Sequence, residues 1–186
     1  MPLPPASSRQ PQHQRQITCQ GYSREDGLWD IEGCLIDTRS EIISTFGRGD
    51  ISPGEHLHEM WIRMTVDSDL KVTDLLVHTE KAPYPACPHI PDHYKKLIGE
   101  TIAPGWTAKV RLLIGGTRGC THIAELLGPV ATTAVQTVYA WSGEQEGTDH
   151  TPPVEFMNTC HSPAEDGVAA SQLWPKDPAL ITNAKS

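Results

Sequence analysis

No CxxC pair occurs in this chain, and its five cysteines (Cys19, Cys34, Cys87, Cys120 and Cys160) are widely spaced and odd in number. That spacing argues against a structural zinc knuckle and against a disulfide framework, leaving reduced thiols as the expectation. There is no basic run either: 15 Lys and Arg face 23 Asp and Glu, for a formal charge of -8. Nothing therefore supplies the phosphate neutralisation that nucleic-acid binding requires, and an acidic surface is wrong for anionic membranes. No apolar run approaches the ~18 residues of a membrane span, and the first residues lack an apolar signal core, so a cytoplasmic location is expected. Hydrophobic residues make up 38% of the 186, low for a compact domain, which implies one domain flanked by an arm or tail.

What is present begins with composition. Residues 1–16 hold Pro2, Pro4, Pro5 and Pro11 with several Gln and Ser and no periodicity, and read as a disordered arm. From Ile17 the pattern turns extended. Ile17–Tyr22 and Leu28–Asp37 flank a loop ending in Asp26-Gly27, the signature of a β-hairpin. In Glu55–Val66 alternate positions place His56, His58, Met60, Ile62, Met64 and Val66 on one face and Leu57, Glu59, Trp61, Arg63 and Thr65 on the other. Asp67-Ser-Asp69 turns this strand into Leu70–Thr79, a second hairpin. The histidines two apart on a strand project side by side and could hold one metal, and Trp61 with Arg63 could stack or receive an aromatic or anionic ligand. Lys81–Pro91 is a proline-rich loop, and Asp92–Ile98 and Trp106–Ile114 read as short helices around the Pro104-Gly105 breaker.

The stretch Gly119–Tyr139 organises the rest. Ile123, Leu126, Leu127, Val130, Ala131, Ala134, Val135 and Val138 recur at steps of three and four, so this helix lays one face on a core. His122 and Glu125 fall on the opposite side about one turn apart. Cys120 stands at the helix start, where free N–H groups favour a thiolate. Gly128-Pro129 predicts a kink, or one helix ending and another beginning. Beyond Ser142 the chain is polar and proline-rich, except for Val154–His161, which is expected to pack back over a pocket mouth; residues 168–186 read as a flexible tail.

Five motifs carry a resemblance: Cys19-Gln-Gly-Tyr22, Gly27-Leu-Trp-Asp-Ile-Glu-Gly33, Leu57-His-Glu-Met-Trp-Ile-Arg-Met-Thr65, Gly119-Cys-Thr-His-Ile-Ala-Glu-Leu-Leu127 and Asn158-Thr-Cys-His161. Together, over roughly residues 15–167, the set resembles a proteobacterial family of unknown function. The resemblance marks His58, Arg63, Cys120, His122, Glu125, Cys160 and His161 as the shared polar positions and leaves His56 outside. Members of that family are often found beside genes for breakdown of aromatic, steroid or lignin-derived compounds, which implies a small-molecule substrate of that kind. Ser171-Gln-Leu-Trp-Pro175 matches the family's basic, aromatic ending only in part.

Three kinds of chemistry fit these residues. Cys120 or Cys160 could act as a nucleophile with His122 or His161 as base. His58, Cys120, His122, Cys160 and His161 could hold zinc or iron for a hydrolase or lyase. The third needs no cofactor and is the principal expectation: His58 and His122 carry protons, Glu125 orients His122, and Cys160 and His161 complete the catalytic set. Tyr22, Trp61, Arg63 and Cys120 would bind substrate. Such a site suits a lyase that releases a small carbonyl fragment such as formaldehyde from an aromatic substrate. A binding module or partner subunit is the non-enzymatic alternative, and exposed Trp and Met could support a homodimer. The fold expected for residues 17–167 is α+β: an antiparallel sheet of two hairpins packed against a kinked central helix and short helices.

Overall fold

The first hairpin turns on Arg24-Glu-Asp-Gly27. Gly27 takes a φ of 80°, a left-handed conformation that costs glycine little, and Leu28 N donates to Asp26 Oδ1 at 3.4 Å. A computed structural model of the chain describes residues 3–89, 91–145, 157–161 and 164–167. In it β1 (His13–Ser23) and β2 (Trp29–Arg39) pair antiparallel along their whole length, from His13 opposite Arg39 to Ser23 opposite Trp29. The strand starts at His13 rather than at Ile17, so residues 13–16 of the expected arm are sheet. Backbone pairing with β2 and two ionic side chains hold them, and composition shows neither.

Between β2 and the next long strand a small ribbon forms, β3 (Ile43–Thr45) with β4 (Gly49–Ile51). The second hairpin, β5 (His56–Val66) and β6 (Val72–Lys81), completes a four-stranded antiparallel sheet in the order β1-β2-β5-β6. Its turn closes with Leu70 N on Asp67 O at 3.1 Å, and Leu70 itself holds a φ of 59° with its side chain buried. A bulge interrupts the β2–β5 register: Asp37 faces His58, but Thr38 faces His56, two residues on. The bulge removes His56 from the row of His58. His56 instead bonds Glu59 at 2.8 Å, so a shared HxH ligand pair does not form.

Helices follow the sheet. The expected helix over 92–98 is a short α1 (Pro91–Tyr94) and a 3₁₀ turn, which bury Tyr94 and Leu97. Helix α2 (Trp106–Ile114) buries Trp106, Val110 and Ile114, and a 3₁₀ turn at Gly116–Arg118 leads to α3 (Thr121–Gln145). Pro129 lies inside α3 without ending it. The missing N–H frees the carbonyl of Glu125, but the flanking Leu126, Leu127, Val130 and Ala131 are all buried, and their packing keeps both halves in one helix. Trp106 Nε1 donates to Leu127 O at 3.3 Å and ties α2 to α3.

The core lies between the sheet and α3. Ile31, Leu35, Met60, Ile62 and Met64 line the inner face, and Ile123, Leu126, Leu127, Val130 and Ala134 meet it from the helix. Gly33 permits the close approach: a Cβ there would lie 2.5 Å from Val130 Cγ2 and 3.2 Å from Leu126 Cδ1. Gly33→Ala is therefore expected to cost about 1–3 kcal/mol by overpacking, read as a lower thermal midpoint. An unchanged midpoint would mean that α3 shifts away freely.

The arrangement is α+β. The chain divides into two compact units, Met1–Thr137 and Val138–Ser186, where the sequence reading has one domain over 17–167. In the second unit the described residues are the end of α3 and segments 157–161 and 164–167, where Glu165 N donates to Asn158 Oδ1 at 2.9 Å. Residues 168–186 and most of the Val154–His161 stretch before Met157 lie outside the described residues. Among the described residues no helix is long and apolar enough to cross a membrane.

Candidate functional site

At the end of the sheet where β1 begins and β2 ends, one buried carboxylate gathers the polar groups of three strands and α3. Asp37 has no solvent-exposed surface. Arg15, opposite it on β1, grips it with both prongs: Nε to Oδ1 at 2.8 Å and Nη2 to Oδ2 at 2.8 Å. His13 Nε2 lies 3.2 Å from Oδ1. From β5, His58 Nδ1 approaches Oδ2 to 3.1 Å, yet it is not aligned as a hydrogen bond, so this buried nitrogen has an ionic neighbour and no hydrogen-bond partner among the described residues. From α3, His122 Nε2 stands 3.7 Å from the same oxygen. The imidazoles of His58 and His122 lie against each other, with centroids 3.9 Å apart and planes at 31°.

Register explains this convergence. Arg15, Asp37 and His58 are neighbours across β1, β2 and β5 in the row that also carries Ile17, Leu35 and Met60, the row that faces α3. His122 is in the first turn of α3, placed there by Gly119. A Cβ at Gly119 would sit 2.4 Å from the carbonyl oxygen of Ile114, so only glycine allows so close a passage into the helix. Cys120 N donates to the buried Tyr94 hydroxyl at 2.8 Å, and Cys120 Sγ lies 3.6 Å from His122 Nδ1 and 3.9 Å from Met60 Sδ.

Electrostatics follow from burial. Burial pushes the His58 pKa down from 6.5 to about 4, helped by the neighbouring His122 and opposed by Asp37. Burial likewise lowers His122, with Arg15 adding to it and Asp37 and Glu125 opposing. For Asp37 burial acts upward, but the Arg15 hydrogen bonds and charge outweigh it and hold the carboxyl below its ordinary range. At neutral pH the centre is thus an ionised Asp37–Arg15 pair supporting two neutral imidazoles.

A family model described as a protein of unknown function (DUF2889) matches residues 13–136, two thirds of the chain. The chain belongs to the DUF2889 family. The matched DUF2889 segment opens on His13 and includes Arg15, Asp37, His58, Cys120, His122 and Glu125; Cys160 and His161 fall after it. No curated protein and no solved structure matches the chain.

The structure brings together some of the residues singled out from the sequence. His58 and His122 are in contact, and Cys120 adjoins His122. Glu125 is one turn further along, but β1 captures it: its carboxylate pairs with Arg15, and the carboxylate beside His122 is that of Asp37. Tyr22, Trp61 and Arg63 alternate onto the opposite face of the sheet and are partly exposed. There Tyr22 donates to Gln20, Trp61 to Glu59 and Arg63 to Glu32, so Trp61 and Arg63 bond separate carboxylates. Cys160 and His161 belong to the second unit and are exposed in it. His13, Arg15 and Asp37 were not foreseen. Counting back by twos from Ile17 would have reached Arg15 and His13, and counting on from Leu35 would have reached Asp37.

Beside the cluster runs a half-open groove of about 340 Å³ between α2 and α3. Trp106, Val110, Ile114 and Ala124 supply its apolar lining, and Cys120 and Glu125 belong both to this groove and to the polar cluster.

Proposed function

We propose that this DUF2889 domain is a carbon–carbon lyase working by histidine acid–base catalysis on an aromatic substrate of the lignin-derived or steroid-like class. One observation carries the reading: two neutral imidazoles in contact, backed by a buried carboxylate whose position a bidentate arginine holds. Neutral histidine can take a proton at physiological pH, and a neighbouring carboxylate supports the imidazolium that results. In the proposed step His122, the more exposed of the pair, removes the proton of a side-chain hydroxyl. The alkoxide closes to a carbonyl and the adjacent C–C bond breaks. Its electron pair enters a quinone-methide-like system to restore the phenolate, and the imidazolium returns the proton there. Formaldehyde departs when the hydroxyl is a terminal one. The choice of aromatic substrate rests on the family resemblance.

A second reading draws on the same atoms. Ligand atoms of Asp37, His58 and His122 all lie within 4.8 Å of one another, and two imidazoles with one carboxylate are the donors of catalytic zinc and non-haem iron sites. A cation there would have Arg15 as a neighbour through Asp37, which favours the proton-transfer reading.

The test is release of formaldehyde from phenolic compounds bearing a terminal hydroxymethyl group, with elemental analysis of the same preparation. His58→Gln and His122→Gln are each expected to lower kcat by about 10²–10⁴ while the protein remains folded. Unchanged turnover in a folded His122→Gln variant would remove His122 from the chemistry. Stoichiometric zinc or iron, with activity lost to a chelator, would establish the metal reading instead.

A further inference from the structure

Cys120 has a geometry that proton transfer between the histidines does not use. Its Sγ is 3.6 Å from His122 Nδ1, and the other nitrogen of that ring is 3.7 Å from the buried Asp37. Thiol, imidazole and carboxylate thus stand in series, the order that activates a nucleophile: a base beside the thiol and a third group behind the base. Cys120 also immediately precedes the 25-residue α3, and its carbonyl accepts the Ala124 N–H at 3.0 Å. The first N–H groups of a helix have no acceptor within it, and its dipole favours negative charge at this end, on a thiolate or on an oxyanion formed next to it. The thiol faces a space for a ligand as well, since Cys120 lines the groove with Trp106, Val110, Ile114 and Ala124.

We propose that Cys120 is a nucleophilic thiol, with His122 as its base, that accepts the acyl group of an apolar ester or thioester seated in the groove between α2 and α3. His122 takes the thiol proton, and sulfur bonds to the carbonyl carbon while the carbonyl oxygen becomes an oxyanion beside the free N–H groups of α3. The oxyanion re-forms the C=O bond as the C–O or C–S bond to the leaving group breaks, and the imidazolium protonates the alcohol or thiol that departs. Water, deprotonated by the same imidazole, then cleaves the thioester and restores Cys120 with release of a carboxylic acid. The proposal shares His122 with the lyase reading but not its substrate, so absence of formaldehyde release leaves it standing.

The chain carries its own comparators. Cys19, Cys34 and Cys87 are all held in the thiol form by burial, which raises each of them. With 4-nitrophenyl acetate as probe, the wild-type protein is expected to give a burst of one 4-nitrophenol per chain and an acetyl group on the peptide containing Cys120. Cys120→Ser abolishes the burst, His122→Gln slows it at least about 100-fold, and Cys87→Ser leaves it intact. Iodoacetamide labelling of the unaltered protein, mapped by mass spectrometry, gives the same answer without relying on a variant that must fold: Cys120 is alkylated first. Acetylation or alkylation that favours any other cysteine, or a folded His122→Gln variant that reacts as fast as wild type, overturns the proposal.

Discussion

Arg15→Ala is expected to cost the domain about 3 kcal/mol or more of stability, among the largest effects available to a single change in this chain. Asp37 is wholly buried, and Arg15 supplies its bidentate hydrogen bonds and the nearest full positive charge. Removing Arg15 leaves an ionised carboxylate in a dry site with only neutral or marginally charged imidazoles around it. Such a group either stays charged without compensation or takes up a proton, and both outcomes cost free energy. Glu125 would also lose its partner, but it is exposed and that loss is small. Arg15→Lys should fall between, because an ammonium keeps the charge but cannot match both carboxylate oxygens with a planar fork. Urea unfolding of the three proteins measures this directly. A loss below about 1 kcal/mol for Arg15→Ala would place the pair among surface ion pairs and remove the argument that it holds the site.

The same pair shows why the site was only partly legible. The hairpins could be read because their signals are local: alternation along Ile17–Tyr22 and Leu28–Asp37, and an Asp-Gly turn between them. The α3 stripe could be read for the same reason, since its steps of three and four lie within one element. The short strands at Ile43–Thr45 and Gly49–Ile51 are too brief to show a period. Asp37 and Arg15 are 22 residues apart and meet only through register, and Arg15 follows a segment whose proline and glutamine suggest no structure. His56 shows the converse failure. Strict alternation groups it with His58, and one bulge opposite Asp37 and Thr38 undoes that grouping. Chemistry-bearing residue types can be found by inspection, but their partners are set by pairing between strands, where one extra residue reverses a face.

Acid should destabilise the domain chiefly between pH 6.5 and about 4, and His58 should account for much of the loss. Its ordinary value is 6.5 and burial brings it to about 4 in the folded state. Across that interval the unfolded chain binds a proton that the folded chain refuses, so stability falls as pH falls; below the folded value both states are protonated and the loss stops growing. The gap corresponds to about 3 kcal/mol at 1.36 kcal/mol per pH unit. His122, lowered for the same reason, acts with the same sign. Asp37 acts in a lower window: its folded value is depressed, so its contribution is present above the unfolded carboxylate range and is lost only as pH falls through the folded value. Arg15 keeps its charge throughout, which separates the histidine loss from the breaking of the ion pair. Unfolding free energies measured from pH 7.5 to 3.5 for wild type and His58→Gln give the comparison. The variant is expected to show a flatter curve between pH 6.5 and 4 and a similar decline below it. Parallel curves through the upper interval would mean that His58 binds its proton as readily when folded as when unfolded. In that case the neutral imidazole pair at the centre of the proposed chemistry would not hold.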